Sequence, residues 1–212
     1  MGVITAIEVQ KKHGKRRSIF VDGEFVAGVH EDVAAALNLS VGQTFDRDQL
    51  VQLVRTETVR KAYDRALRLI AYRDRSESEI RRRLLASEFA EDVVDEVIDK
   101  LSEAGLLDDE RFSREWVKSR TTSKPMGKTR IAWELRSKGV DPETVEEALQ
   151  DRDEDTEYGL ALAAAEKRLV KSSRNDPAIR EKLGSFLSRR GFDWDVIRRV
   201  LDQLCPKEQT EE

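Results

Sequence analysis

One stretch of this chain recurs three times, and that recurrence narrows the possible folds more than any other feature. "IRRRLLASEFAEDVVDEVI" starts at Ile80, "IAWELRSKGVDPETVEEAL" at Ile131 and "LGSFLSRRGFDWDVIRRVL" at Leu183, offsets of 51 and 52 residues. Apolar residues coincide at the start (Ile80, Ile131, Leu183) and four on (Leu84, Leu135, Leu187). They coincide again nine on (Phe89, Val140, Phe192), fourteen on (Val94, Val145, Ile197) and eighteen on (Ile98, Leu149, Leu201). This spacing fits two helices with a break between them. Gly139 and Gly191 share the position eight on, where a helix needs a left-handed cap. Glu88 departs from that rule. Tyr63/Leu67, Phe112/Trp116 and Leu162 with Leu169 mark a further helix before each pair. A capping box, Ser76 with Glu79, and Asp141 followed by Pro142 agree with the periodicity. Tandem three-helix units, each burying its faces on its neighbours, follow.

The first ~45 residues read differently. In "VITAIEVQ", Val3, Thr5, Ile7 and Val9 fall on one face at period two. "RRSIFV" and "EFVAGV" flank Asp22-Gly23, a hairpin signal, with "KKHGKR" as an earlier, looser turn. The expectation is a three-stranded meander, then a short helix near Glu31 to Leu37. The expected fold class is mainly α: an elongated curved array of tandem three-helix repeats behind a small N-terminal β part. The expected divisions are 1–45 (β-rich), 46–107 (helical linker and repeat one), 108–152 (repeat two), 153–205 (repeat three) and 206–212 (a disordered acidic tail).

Net charge is −4, but its distribution is blocked. Residues 61–85 are net +4, 86–110 net −9, 111–140 net +7, 141–157 net −8 and 158–200 net +5. Such stripes suit either solvated helix faces or a partner made of both protein and nucleic acid. No run of about 18 apolar residues is present, so no membrane span is expected. The start lacks a basic segment followed by an apolar one, so a cytoplasmic protein is expected. Cys205 is alone, and His13 and His30 are far apart, which excludes an ordinary structural zinc site; no metal or cofactor is expected.

"SKPMGKTRI" contains Gly127-Lys128-Thr129, the end of a phosphate loop. The first glycine of such a loop would fall at Thr122, and Pro125 removes a donor, so an ATP site is rejected. Lys128 and Arg130 open a helix, where a cation opposes the macrodipole. That placement favours a partner over stability as their purpose.

The runs "AYRDRSESEIRRRLL", "EAGLLDDERFSREWVKSR" and "KPMGKTRIAWELRSKGV" together resemble the RecX family of RecA regulators over residues 58–205. The third unit is carried by repeat register. The resemblance implies a non-enzymatic, monomeric protein. Its partner would be the RecA–single-stranded DNA filament, bound along the groove, with extension blocked or disassembly promoted. Strand exchange, ATP hydrolysis and repressor co-cleavage would all fall. Direct DNA contact is the further implied partner. A DNA-binding module without RecA and a helical scaffold for another protein are the alternatives. The candidate contact residues are Arg73, Arg75, Arg81, Arg82, Lys118, Arg120, Lys124, Lys128 and Arg130. Arg73 and Arg75 could equally be structural ion pairs; Arg81 and Arg82 are expected free on the solvent side of Ile80 and Leu84. Trp133 and Trp194 are expected to pack on a neighbouring unit, exposure being the alternative that would mark a contact.

Overall fold

The computed structural model describes residues 1–11, 13–170 and 178–206. The expected tail from 207 on, and the part of the last basic block at 171–177, lie outside the described residues. The chain divides into two compact units, 1–108 and 109–212.

Unit one opens with strands β1 (Gly2–Gln10), β2 (His13–Val21) and β3 (Glu24–His30), all antiparallel. Asp22 and Gly23 both take positive φ (52° and 82°), as the two-residue hairpin requires. The sequence reading is corrected at three places. Thr44–Phe45 form a fourth strand, β4, on the free edge of β1, giving the order β3-β2-β1-β4. His13 to Arg16 of "KKHGKR" lie inside β2 rather than in a turn. The expected face of β1 also fails: Val3 and Val9 are exposed and Ile4 is fully buried. An extra residue between Ile4 and Ala6 is the cause of the change at Val3 and Ile4. Ile4 faces Val21 and Ala6 faces Phe20, so β1 bulges there and its parity flips. Ile4 and Ile7 thereby share the core with Ile19, Val21 and Val29.

Helix α1 (Glu31–Ala36) follows β3, with buried His30 as its N-cap. Helix α2 (Arg47–Tyr72) starts at the Asp46 cap, whose carboxylate accepts from the Asp48 and Gln49 N–H groups. It serves two cores. Leu50 and Val54 cover the sheet, while Val59, Ala62 and Ala66 pack on α3 (Glu77–Leu85) and α4 (Glu91–Glu103). The second half of α2 is thus the first helix of repeat one.

Unit two holds repeat two, α5 (Asp109–Thr122), α6 (Lys128–Ser137) and α7 (Pro142–Leu149), and repeat three, α8 (Glu154–Leu169), α9 (Ile179–Arg189) and α10 (Trp194–Leu204). The aligned apolar positions are core in every repeat; Leu149, half-buried, is the least covered. The stop between second and third helices is the same in all three. Phe89, Val140 and Phe192 donate their N–H to the carbonyls of Leu84, Leu135 and Leu187, five residues back. Glu88, Gly139 and Gly191 donate to the carbonyls three back. This is a paired left-handed cap. Glu88 adopts it with φ 64°, so the departure in sequence leaves the geometry intact. Its side chain is used elsewhere: the carboxylate accepts from the Lys15 N–H (3.2 Å), and its carbonyl from Arg16 (3.3 Å), tying the sheet to repeat one.

Candidate functional site

The candidate cations divide between the two units. In unit one, Arg73 lies just past α2 and reaches Glu79 through two bonds, at 2.7 and 3.3 Å. Arg75 is 92 % buried; its Nε donates to the Leu69 carbonyl at 3.1 Å and its Nη1 has no hydrogen-bond partner. Burial first, then the neighbouring Arg73 and Arg83 charges, hold its pKa below the usual guanidinium value. Of the two, Arg73 is ion-paired and Arg75 is buried. Arg81 is ion-paired with Asp95 and Glu77, which corrects the expectation that it is free. Arg82 is exposed and donates to the Ser78 carbonyl of its own helix at 3.2 Å.

In unit two, the carboxylate of Glu134 on α6 gathers three donors from α5 and α6. Arg120 Nε lies at 2.7 Å, Trp116 Nε1 at 3.0 Å and Arg130 Nε at 3.4 Å. Burial would raise the pKa of Glu134, but the Arg120 and Trp116 hydrogen bonds outweigh it and hold it below the usual value. Arg120 also lies 4.2 Å over the Trp116 ring. Arg120 and Arg130 are therefore joined to the protein's own acid. Lys118 is exposed, with Glu115 only at 3.9 Å. Lys124 is exposed, and neither it nor Lys128 has an ion pair among the described residues.

The cation at the start of α6 has a physical explanation that the sequence hid. The Lys128 N–H donates to Glu157, at 3.0 Å, so α8 supplies the acid that the helix end lacks. Glu157 is 1 % exposed and Arg152 6 %. They are ion-paired, and Arg152 also donates to the Thr121 hydroxyl (2.9 Å) and the Met126 carbonyl (2.8 Å). The acidic block 141–157 thus contains a buried pair as well as solvated acids. The signal was present: Arg152 is the one base in that block.

Trp133 and Trp194 are 57 % and 66 % exposed, against the packing expected of them. Arg130 lies 4.5 Å over the Trp133 ring. Among the described residues no helix is long and apolar enough to cross a membrane. Arginine and lysine groups of this kind can hold carboxylates and phosphates.

Three-helix units in tandem behind a small antiparallel sheet, with cations grouped along helix starts and loops, define a helical-repeat protein. The chain belongs to the RecX family of regulatory proteins. Residues 2–46 match the RecX N-terminal domain, 62–101 the first three-helix domain, 108–149 the second and 155–201 the third. The similarity therefore includes the sheet and the third repeat as well as the segment whose motifs carried the resemblance. Regulatory protein RecX of Clostridioides difficile is 34% identical over 205 residues, covering 96% of each chain. That of Bacillus subtilis is 31% identical over 205 residues, 96% of this chain and 78% of its own. A crystal structure of a regulatory protein RecX superposes with TM-score 0.65 at 26% identity, covering 95% of this chain and 100% of that one. RecX from Lactobacillus salivarius gives 0.61 at 25%, covering 70% and 97%.

Proposed function

We propose that this chain is a negative regulator of RecA. It binds the RecA–single-stranded DNA filament along its groove and limits extension or promotes disassembly. Strand exchange, ATP hydrolysis and co-cleavage fall as a result, and the chain itself performs no catalysis. The observation that carries this reading is the ordered match to RecX regions from residue 2 to 201. Support comes from Lys124 and Lys128, which have no ion pair among the described residues, beside arginines that are already paired. A stability role accounts for the paired arginines and leaves the lysines for a partner. Lys118 joins them as an exposed cation whose contact with Glu115 is long, at 3.9 Å. The test is titration into a preformed RecA–single-stranded DNA filament, following ATP hydrolysis and filament length together. Both should fall. If both held steady while the protein was in molar excess over RecA, the proposal would be wrong.

A further inference from the structure

Within unit two, a cleft of about 360 Å³ opens where repeat two meets repeat three. Lys124 and Pro125 come from the loop after α5, Lys167 and Arg168 from α8, and Phe186 and Arg190 from the end of α9. Among the described residues four lining side chains are cations and none is a carboxylate. In a chain with 42 acidic residues against 38 basic ones, an acid-free cleft is a local reversal of the overall balance. The acids at the start of α8 are occupied elsewhere: Glu154 and Asp155 with Arg199, and Glu157 with Arg152.

Arg190 anchors the cleft. Its Nη1 donates to the Pro125 carbonyl at 2.7 Å, and its guanidinium lies 4.6 Å over the Phe186 ring. Burial lowers its pKa from the usual value, and no acid among the described residues offsets that cost. Arg120, Arg130, Arg152 and Arg199 of the same unit each meet a carboxylate; among the described residues Arg190 meets none, nor do Lys124 and Lys167. A half-buried arginine with no acid among the described residues, beside exposed lysines, is stabilised by an anion able to accept from several donors at once. Phosphate is such an anion. The cleft also has an apolar wall, the Phe186 ring and two alanines of α8. Cations beside an apolar wall match a phosphate joined to a sugar. A duplex carries its phosphates on a convex outer surface and meets only the rim of a cleft this size.

We infer that this cleft binds the backbone of a single-stranded nucleic acid, with one phosphodiester held by Lys124, Lys167 and Arg190. The inference deepens the proposed function by giving the strand of the filament a subsite on this chain. Its test contains no recombinase, so the two fail separately.

The full chain is titrated with a short fluorescent oligothymidine, and anisotropy is followed across a salt series. Lys124→Ala with Lys167→Ala should weaken binding about tenfold and make the log–log salt slope shallower by roughly 0.7 for each lost contact. Melting of the variant, both of whose lysines are exposed, checks that it is folded. Arg114→Ala with Arg136→Ala removes as many exposed cations outside the cleft and should cost much less. An abasic strand of the same length should lose as much as oligothymidine, and duplex should compete poorly per nucleotide. Unchanged binding by the cleft variant overturns the inference. So does an equal loss in the control variant, a loss confined to strands with bases, or duplex competing as well as single strand. A cleft variant that loses oligonucleotide binding yet inhibits RecA fully would leave the proposed function standing without this subsite.

Discussion

Gly127 and Gly191 meet backbone to backbone across the junction of repeats two and three. The Gly127 N–H donates to the Arg190 carbonyl at 2.9 Å, and a Cβ placed on Gly127 would lie 2.1 Å from the Gly191 carbonyl oxygen. A Cβ on Gly191 would lie 2.5 Å from the Arg130 nitrogen. Gly127 has an ordinary φ of −69°, so it is the absence of a side chain that this site demands. Gly191 needs both the space and its φ of 80°. The Gly-Lys-Thr sequence that imitates a phosphate loop is a docking loop between repeats.

Gly127→Ala should therefore destabilise the protein by about 1–3 kcal/mol, because neither backbone can give way without separating the repeats. Gly159→Ala is the counterpart. Gly159 is exposed within α8, and nothing lies within 4 Å of its added Cβ. Alanine there should stabilise by up to about 1 kcal/mol through helix propensity. Urea denaturation of both variants measures the contrast. Equal effects of the same sign would show that the junction is looser than the geometry indicates.

The buried pair beside that junction gives a second expectation. Glu157→Ala leaves Arg152 buried without its acid and strips the Lys128 N–H of its acceptor. A loss of about 3–5 kcal/mol is expected. Arg152→Met with Glu157→Leu removes both charges and should recover part of it. A double variant less stable than Glu157→Ala in the same urea series would show that the remaining bonds of Arg152, to Thr121 and Met126, matter more than the uncompensated charge.

Three-helix repeats were legible because burial imposes a period on sequence: Ile80, Ile131 and Leu183 are all at most 1 % exposed. The Ser76 and Asp141 caps were legible because capping is local; each side chain accepts from the N–H three residues on. What failed was non-local. The parity of β1 depends on a bulge that only pairing with β2 reveals. Glu88 hides a left-handed cap, because residue type only biases φ. For the cations, sequence supplies charge but no partner. Arg120 and Lys118 lie two residues apart on one helix, yet only Arg120 meets Glu134 closely.

Glu134 supplies a pH signature. Its folded pKa is depressed, so its contribution is present above the unfolded value, near 4.5, and lost as the pH falls through the lower folded value. Glu134→Gln should melt below the wild type at neutral pH. The gap should close as the pH drops below about 4.5. Asp141 and Asp153, whose pKa values are lowered by hydrogen bonds from Thr144 and Thr156, are present in both proteins and cancel in the comparison. A gap that persists unchanged into acid would mean that charge on Glu134 is not what joins α5 to α6.

The last expectation separates the cations by what they already hold. Lys124→Glu with Lys128→Glu reverses two charges that have no ion pair among the described residues. Surface charges contribute at most about 1 kcal/mol each, so the melting temperature should hardly move. Filament binding should weaken, and its salt dependence should flatten by roughly 0.7 in log–log slope for each phosphate contact removed. Arg120→Glu with Arg130→Glu does the opposite to folding. It sets two carboxylates against half-buried Glu134, removes the cation over Trp116, and should lower the melting temperature clearly. Melting and RecA inhibition are measured on both variants. If the lysine variant proves less stable yet inhibits RecA as well as the wild type, its charges serve the fold, and this edge is not the surface that meets the filament.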